Sequence, residues 1–141
     1  MAKPTDRTAI TDQAELLLRR VHPTQIKDGR PSKTTFLPRP TDEGMLSVDR
    51  RSVVTPTDCY AAYAAAKNFV APTQGGIWAV NVGECAGSGL ASLADPLASD
   101  EPSGPNPAHA LIDMSTLSEE ASHTAAATLF AAAKARGQLA P

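Results

Sequence analysis

The chain has 141 residues, and its 13 basic and 15 acidic side chains give a formal net charge of −2, which argues against a general nucleic-acid binder. Its hydrophobic fraction is 42%, but 25 of these residues are alanines, and 12 prolines and 9 glycines interrupt the regular patterns. This length suits one domain, so we expect a small, closely packed core with long irregular segments.

The N-terminal part is predicted to contain one short helix. Residues 1–10 are mostly polar and are expected to be flexible. Asp12 and Glu15 have the spacing of a capping box, in which each side chain satisfies a free backbone amide. This predicts a helix near 12–21, ended by the His-Pro dipeptide that follows, because a residue before proline avoids the helical region.

Two long loops are predicted from the abundance of glycine, proline, serine and aspartate. The first spans 23–44 and contains one short strand around 34–37, and the second spans 87–107. Loops of this length are commonly functional or disordered. Residues 138–141 are expected to form a short tail.

Three segments have the composition of β-strands. Apolar and polar residues alternate at 45–49. The strongest strand signal is at 77–82, where β-branched residues and Trp78 lie between glycines. A third strand is predicted at 108–114.

Two longer helices are predicted. The first, at 56–68, begins with a Thr-Pro pair and carries Asp58 in its first turn, where it meets the positive end of the helix dipole. The second, at 116–136, is capped by Thr116 and ends at Gly137. Its apolar stripe is mostly alanine, so it is expected to lie close against a sheet.

These elements predict a single α+β domain over 11–137. We expect a small, mostly antiparallel sheet of three to five strands covered by two or three helices. The predicted core residues are Trp78, Val80, Val82, Leu111 or Ile112, and the stripe from Leu117 to Leu129.

The sequence predicts neither a membrane protein nor a metalloprotein. No run approaches the ~20 apolar residues that a membrane-spanning helix needs, and the start of the chain lacks the apolar stretch of a secretory signal. Cys59 and Cys85 have no second cysteine nearby, and the histidines lack metal-ligand spacing. We expect a cytoplasmic protein with two reduced thiols.

Known catalytic motifs do not match. The glycines after 77–82 fit neither nucleotide-binding signature. Ser88 lies between two glycines but lacks the spacing of a nucleophile elbow. Hydrolase chemistry of these motif types is therefore not predicted.

Several short motifs stand out between residues 17 and 114. In chain order they are Arg20-Val21-His22-Pro23, Gly29-Arg30-Pro31-Ser32, Phe36-Leu37-Pro38, Leu46-Ser47-Val48 and Glu84-Cys85. This pattern resembles that of a family of small uncharacterised bacterial proteins. The resemblance implies a common shape and carries no activity with it.

The first functional hypothesis is a protein-interaction module, of the antitoxin or immunity type, that binds another protein and uses no cofactor. Most basic residues lie between positions 19 and 51, and long loops commonly present contact surfaces. Arg30, Lys33 and Arg39 are the predicted binding residues. Self-association is left open.

The alternative hypothesis is an enzyme that uses NAD. Arg20 or His22, then Ser47, then Glu84 follow the order of the Arg–Ser–Glu arrangement of ADP-ribosyltransferase-like folds. In that arrangement the cation holds a pyrophosphate, the serine supports the nicotinamide site and the carboxylate stabilises an oxocarbenium ion. The hypothesis requires these side chains to converge in one cleft.

Overall fold

The computed structural model describes residues 7–67, 75–97 and 105–140. Its strands are β1 (Thr8–Ala9), β2 (Leu16–Val21), β3 (Ile26–Lys27), β4 (Arg30–Pro31), β5 (Met45–Arg50), β6 (Gly76–Asn81), β7 (Ala91–Ala94) and β8 (His109–Asp113). Its α-helices are α1 (Pro56–Lys67), α2 (Val82–Gly87) and α3 (Glu119–Arg136). Short 3-10 helices lie at Pro23–Gln25, Lys33–Phe36 and Pro40–Asp42. Six strands form one sheet in the order β1-β7-β8-β5-β2-β6, and β3 pairs with β4.

Helices α1 and α3 cover opposite faces of the six-stranded sheet. Successive side chains of a strand point to opposite sides, so Leu17 and Leu18 of β2 enter different apolar clusters. Leu17 belongs to the larger cluster with Leu129 of α3, and Leu18 belongs to the smaller one with Cys59 of α1. Every strand pair in the described ranges is antiparallel. The predicted α+β class with a mostly antiparallel sheet is confirmed.

The sheet has six strands rather than three to five, because three strands lie in segments whose pattern predicts other structure: β2 in a predicted helix, and β1 and β7 in predicted irregular segments. Strand β1 lies within 1–10, and β7 lies within 87–107. Ile10 is also buried, and its amide donates to a carbonyl of β7 at 2.8 Å. The two short strands pair across a long sequence separation, with Thr8 opposite Ala94, and local patterns do not reveal such a pairing.

The helix predicted near 12–21 is wrong. Its second half forms β2, which pairs with β5 on one side and β6 on the other. The Asp12 carboxylate accepts from the amide of Ala14 at 3.0 Å, so the apparent capping signal forms a turn instead. Leu17 and Leu18 are both fully buried, on opposite faces. A strand that is buried on both faces carries consecutive apolar residues and loses its period-two pattern.

The strand predicted around 34–37 is also wrong. This part of the chain forms the 3-10 helix Lys33–Phe36, in which the amide of Thr35 donates to the carbonyl of Ser32 at 3.0 Å. The phenylalanine of this helix is fully buried in the cluster beneath α3. Anchoring by that ring stabilises a turn at a position where the residue types favour a strand.

Helix α3 begins later than predicted. Ser118, rather than Thr116, is the N-cap, and its hydroxyl accepts from the amide of Ala121 at 3.1 Å. The helix ends at Gly137 as predicted, with φ of 91° at that glycine. Among the described helices, none is both long and apolar enough to cross a membrane.

The segment predicted as a tail at 138–141 is part of the sheet region. The amide of Leu139 donates to the carbonyl of Ile77 at 2.8 Å, and the amide of Ile77 donates to the carbonyl of Ala140 at 3.0 Å. The predictions for positions 1–6, 68, 98–104 and 141 lie outside the described residues.

The remaining predicted elements are close to those observed. The strands predicted at 45–49, 77–82 and 108–114 correspond to β5, β6 and β8, and the helix predicted at 56–68 corresponds to α1. Helix α2, directly after β6, is not predicted. The predicted core residues found in the cluster against α3 are Trp78, Val80, Val82, Ile112, Ala125 and Leu129.

Replacing Trp78 with alanine is expected to lower the free energy of unfolding by about 3–5 kcal/mol, because the ring is buried and leaves a cavity. The variant also loses the hydrogen bond from Nε1 to the carbonyl of Gly75, 3.0 Å long. Urea unfolding followed by circular dichroism measures the change. Val53→Ala is the control, because Val53 is 47% exposed and should change stability by about 0.5 kcal/mol or less.

Candidate functional site

The candidate site is a cleft that opens where β2 and β5 separate. Leu17 pairs with Arg50 and Leu18 pairs with Asp49, but from Arg19 onward β2 no longer pairs with β5. The cleft has a volume of about 580 Å³. We call it the central cleft, and the lining residues that matter here are Arg19, His22, Arg39, Ser47, Tyr63 and Lys67.

Arg19 crosses the space between the two separating strands. Its Nε donates to the carbonyl of Thr35 and its Nη1 to the carbonyl of Ser47, both at 2.9 Å. These bonds use two of the five guanidinium N–H groups. Among the described residues, the other three have no hydrogen-bond partner, and no carboxylate forms an ion pair with Arg19.

The environment of Arg19 disfavours its positive charge. Burial lowers the pKa of the guanidinium from 12.5 to about 10, although the charge of Asp42 acts in the opposite direction. A cation that has lost part of its hydration and has no ion-pair partner is stabilised when an anion approaches. The central cleft is therefore suited to an anionic group.

Other charges of the central cleft are predominantly positive. Lys67 is exposed at the end of α1. Arg39 forms an ion pair with Asp42, with Nη2 and Oδ1 3.0 Å apart. Partial burial acts to raise the pKa of Asp42, but the hydrogen bonds and charge of Arg39 outweigh it and lower that pKa. The lining thus combines three cations with one carboxylate.

A buried carboxylate organises the sheet face beside the central cleft. Asp49 is 3% exposed and accepts from Arg20 Nε at 2.9 Å, from Asn106 Nδ2 at 2.8 Å and from Cys59 Sγ at 3.2 Å. Burial, with the nearby charge of Asp49, raises the pKa of the Cys59 thiol to about 12. Cys59 is therefore a neutral hydrogen-bond donor, and Arg20 is held in place by Asp49.

Ser47 lies where the central cleft meets a smaller pocket of about 300 Å³, which Arg20 and Asn106 also line. The Ser47 hydroxyl is 3.2 Å from Nε2 of His109 on the neighbouring strand β8. On the other side of the ring, Nδ1 lies 3.2 Å from Oδ2 of Asp95 and 3.0 Å from its carbonyl oxygen. A hydroxyl, an imidazole and a carboxylate are thus linked in series.

The structure brings together only part of the predicted Arg–Ser–Glu set. Ser47 shares the small pocket with Arg20 and the central cleft with His22. His22 also caps the 3-10 helix Pro23–Gln25, since its Nδ1 accepts from the amide of Thr24 at 3.2 Å. Arg20 and His22 therefore each share a pocket with Ser47, but not the same pocket.

Glu84 lies apart from these residues. Its carboxylate pairs with Arg136 of α3, at 3.0 and 3.1 Å, whereas Arg20 is on the α1 side of the sheet. Arg20 pairs with Ile77 of β6. Asn81, at the other end of β6, is roughly 13 Å from Ile77 along the strand, and Glu84 lies beyond it in α2. Among the described residues, Glu84 therefore does not converge with Arg20 and Ser47, as the NAD-using hypothesis requires.

The three predicted binding residues lie on the segment that borders the central cleft. Arg39 lines the cleft itself. Lys33 is exposed and lines a groove between its 3-10 helix and α3, and Arg30 is exposed on β4. Only Arg39 of the three contributes directly to the cleft.

The sequence interpretation missed Arg19, Asp95 and His109 as site residues. Arg19 falls in the wrongly predicted helix, and Asp95 falls in a segment predicted to be a loop. His109 is in a correctly predicted strand, but its approach to Ser47 depends on the register of β5 against β8, with Asp49 opposite His109. No group of three His, Cys, Asp or Glu side chains in the described ranges is placed to hold a metal ion.

No family model, curated protein or solved structure matches the chain. The family resemblance drawn from the five short motifs stays a prediction. Three of these motifs contribute residues to the central cleft, and those residues are His22, Leu37, Pro38 and Ser47.

Replacing Glu84 with glutamine is expected to cost less than about 1 kcal/mol near pH 7, because the ion pair with Arg136 is partly exposed. Partial burial acts to raise the pKa of Glu84, but hydrogen bonds from Arg136 and from the Asn81 amide lower it overall. The contribution of the charge is therefore present above the ordinary glutamate pKa and is lost as the pH falls through the lowered value.

Urea unfolding of wild type and Glu84→Gln at several pH values measures this difference, which should shrink toward zero in acid. Glu43→Gln is the control, because Glu43 forms no ion pair among the described residues. A difference that grows in acid would contradict the assigned direction.

Both cysteines are expected to resist Ellman's reagent at about pH 8 in the folded protein. Burial is the main cause that raises the pKa of Cys59 to about 12 and that of Cys85 to about 11, and the thiolate is the reactive form. In denaturant both thiols should react rapidly. Fast reaction of either thiol without denaturant would show that the sheet faces open more readily than their burial implies.

Proposed function

We propose that the protein is an interaction module that receives an acidic group of a partner protein in the central cleft. The observation that carries this proposal is Arg19, a partly desolvated cation beside a 580 Å³ cleft. Its free N–H groups suit a carboxylate, because guanidinium and carboxylate form paired hydrogen bonds. Binding would supply the counter-ion that the described residues do not.

The surroundings of Arg19 favour an acidic segment over a single carboxylate. Lys67 stands exposed at one wall of the cleft, and Arg39 lines another. Arg30 and Lys33 are exposed on the bordering segment and extend the positive surface. Charges of this kind set the partner's preferred orientation and speed its approach.

The proposal predicts that a hexaglutamate peptide binds the wild-type protein and that Lys67→Glu weakens binding by about tenfold or more. The substitution puts a negative charge in the cleft wall at an exposed position, so the fold should be retained. Isothermal titration calorimetry measures the affinity, and Arg19→Gln should weaken binding as well, since it removes the desolvated charge.

Arg51→Glu is the matched control, because it makes the same change of charge at an exposed residue outside the cleft lining. Its affinity for hexaglutamate should stay within about twofold of the wild-type value. Equal losses for Lys67→Glu and Arg51→Glu would indicate general charge attraction and would refute a specific site.

A further inference from the structure

Ser47, His109 and Asp95 lie in series, and we call them the Ser47 triad; His109 Nδ1 is hydrogen-bonded to the backbone carbonyl of Asp95 and also lies within ion-pair distance of its carboxylate. Ser47 Oγ lies 3.2 Å from His109 Nε2, and His109 Nδ1 lies 3.2 Å from Asp95 Oδ2. The order of groups is that of an activated nucleophile, in which a carboxylate orients the base that accepts the hydroxyl proton.

The partners of His109 fix its tautomer. Nδ1 faces two oxygens of Asp95, the carboxylate oxygen and the backbone carbonyl at 3.0 Å, and a carbonyl only accepts hydrogen bonds. In the neutral ring the hydrogen therefore resides on Nδ1, and Nε2 presents a lone pair. The Ser47 hydroxyl must then donate to Nε2, which is the arrangement of a general base.

Asp95 is held firmly enough to orient the ring. It is 4% exposed, and its Oδ1 accepts from Arg7 Nε at 3.3 Å. The amide of Asp95 also donates to the carbonyl of His109 at 2.9 Å, which continues the pairing of β7 with β8. Two of the three triad residues lie on strands, and sites built on such elements are positioned more precisely than sites on loops.

The nucleophile is accessible and has a cation beside it. Ser47 is exposed and lines both the central cleft and the small pocket, whereas the His109 side chain is 14% exposed. Arg19 Nη1 donates to the carbonyl of Ser47. The N–H groups that Arg19 leaves unused face the same cleft and can donate to negative charge that develops on a substrate oxygen.

We propose that Ser47 is a catalytic nucleophile toward carboxylic esters. Its oxygen attacks the ester carbonyl carbon as the hydroxyl proton passes to His109 Nε2. The bond from the carbonyl carbon to the alcohol oxygen then breaks, and the leaving oxygen takes that proton, so an alcohol departs and an acyl ester remains on Ser47. Water attacks this ester, gives a proton to His109, and the proton returns to Ser47 as a carboxylic acid is released.

Esters with a negatively charged acyl chain are the expected substrates. This preference rests on the proposed function, because it uses the same charges of the central cleft, Arg19 and Lys67. The role of Ser47 as nucleophile does not depend on it. The two parts can therefore fail separately.

A fluorophosphonate probe tests the nucleophile, with the labelled residue identified by mass spectrometry. Wild-type protein should be labelled at Ser47, and Ser47→Ala should not be labelled. His109→Ala and Asp95→Asn should slow labelling by about 100-fold or more if the ring acts as the base. Thermal melting checks that each variant is folded, and Ser47→Ala should fold normally because the residue is exposed.

Ser115→Ala is the control, because the Ser115 hydroxyl also donates to a carboxylate, that of Asp113 at 2.6 Å, but is joined to no histidine in the described residues. Its labelling rate should equal the wild-type rate. Absence of label on Ser47, or wild-type labelling of a folded His109→Ala variant, would overturn the assignment.

Two chromogenic esters test the charge preference, mono-p-nitrophenyl succinate and p-nitrophenyl butyrate. The ratio of their kcat/KM values should favour the succinate in the wild type and fall about tenfold in Lys67→Glu. An unchanged ratio would refute the charge preference and leave the labelling result standing. Loss of hexaglutamate binding in the same variant, with an unchanged ester ratio, would separate the partner site from the ester site.

Discussion

The burial of β2 on both faces is the constraint on which the rest of the structure depends. Leu17 and Leu18 are fully buried on opposite sides of the sheet, so the strand must lie between two layers and between two neighbouring strands. The next two residues are arginines, which cannot continue that burial without polar partners. Arg19 finds two carbonyls and Arg20 finds Asp49, and β5 separates from β2 at this point.

The separation of β2 from β5 is the feature of the fold that creates the central cleft. A regular pairing of β2 with β5 beyond Leu18 would close the space that Arg19 now occupies. The buried Asp49 makes the departure tolerable, because it satisfies Arg20, Cys59 and Asn106 together on the α1 side. The cleft therefore opens beside two adjacent cations of a central strand, and Arg19 contributes part of its positive charge together with Arg39 and Lys67.

The sequence predicts those elements whose stability is local, and it fails where stability comes from distant pairing. The strand around Trp78 and the helices α1 and α3 have clear composition and ends, and all three form, although α3 is capped by Ser118 rather than by the predicted Thr116. Apolar and polar residues do not alternate along β2. Strand β7 has the composition of a loop, and its pairing with β8 makes it a strand. Two site residues are missed for this reason, since Arg19 lies on β2 and Asp95 directly follows β7. Ser47 and His109 are both in predicted strands, but only the register brings them together.

The hydrogen bonds of Ile77 with Leu139 and Ala140 cover part of the outer edge of the sheet. Strand β6 is the last in the order, and its outer side would otherwise present unpaired amides and carbonyls to any extended peptide. At the opposite end, β1 spans only two residues and offers little to extend. Within the described residues, both edges of the sheet therefore offer only short stretches of unpaired backbone for strand addition.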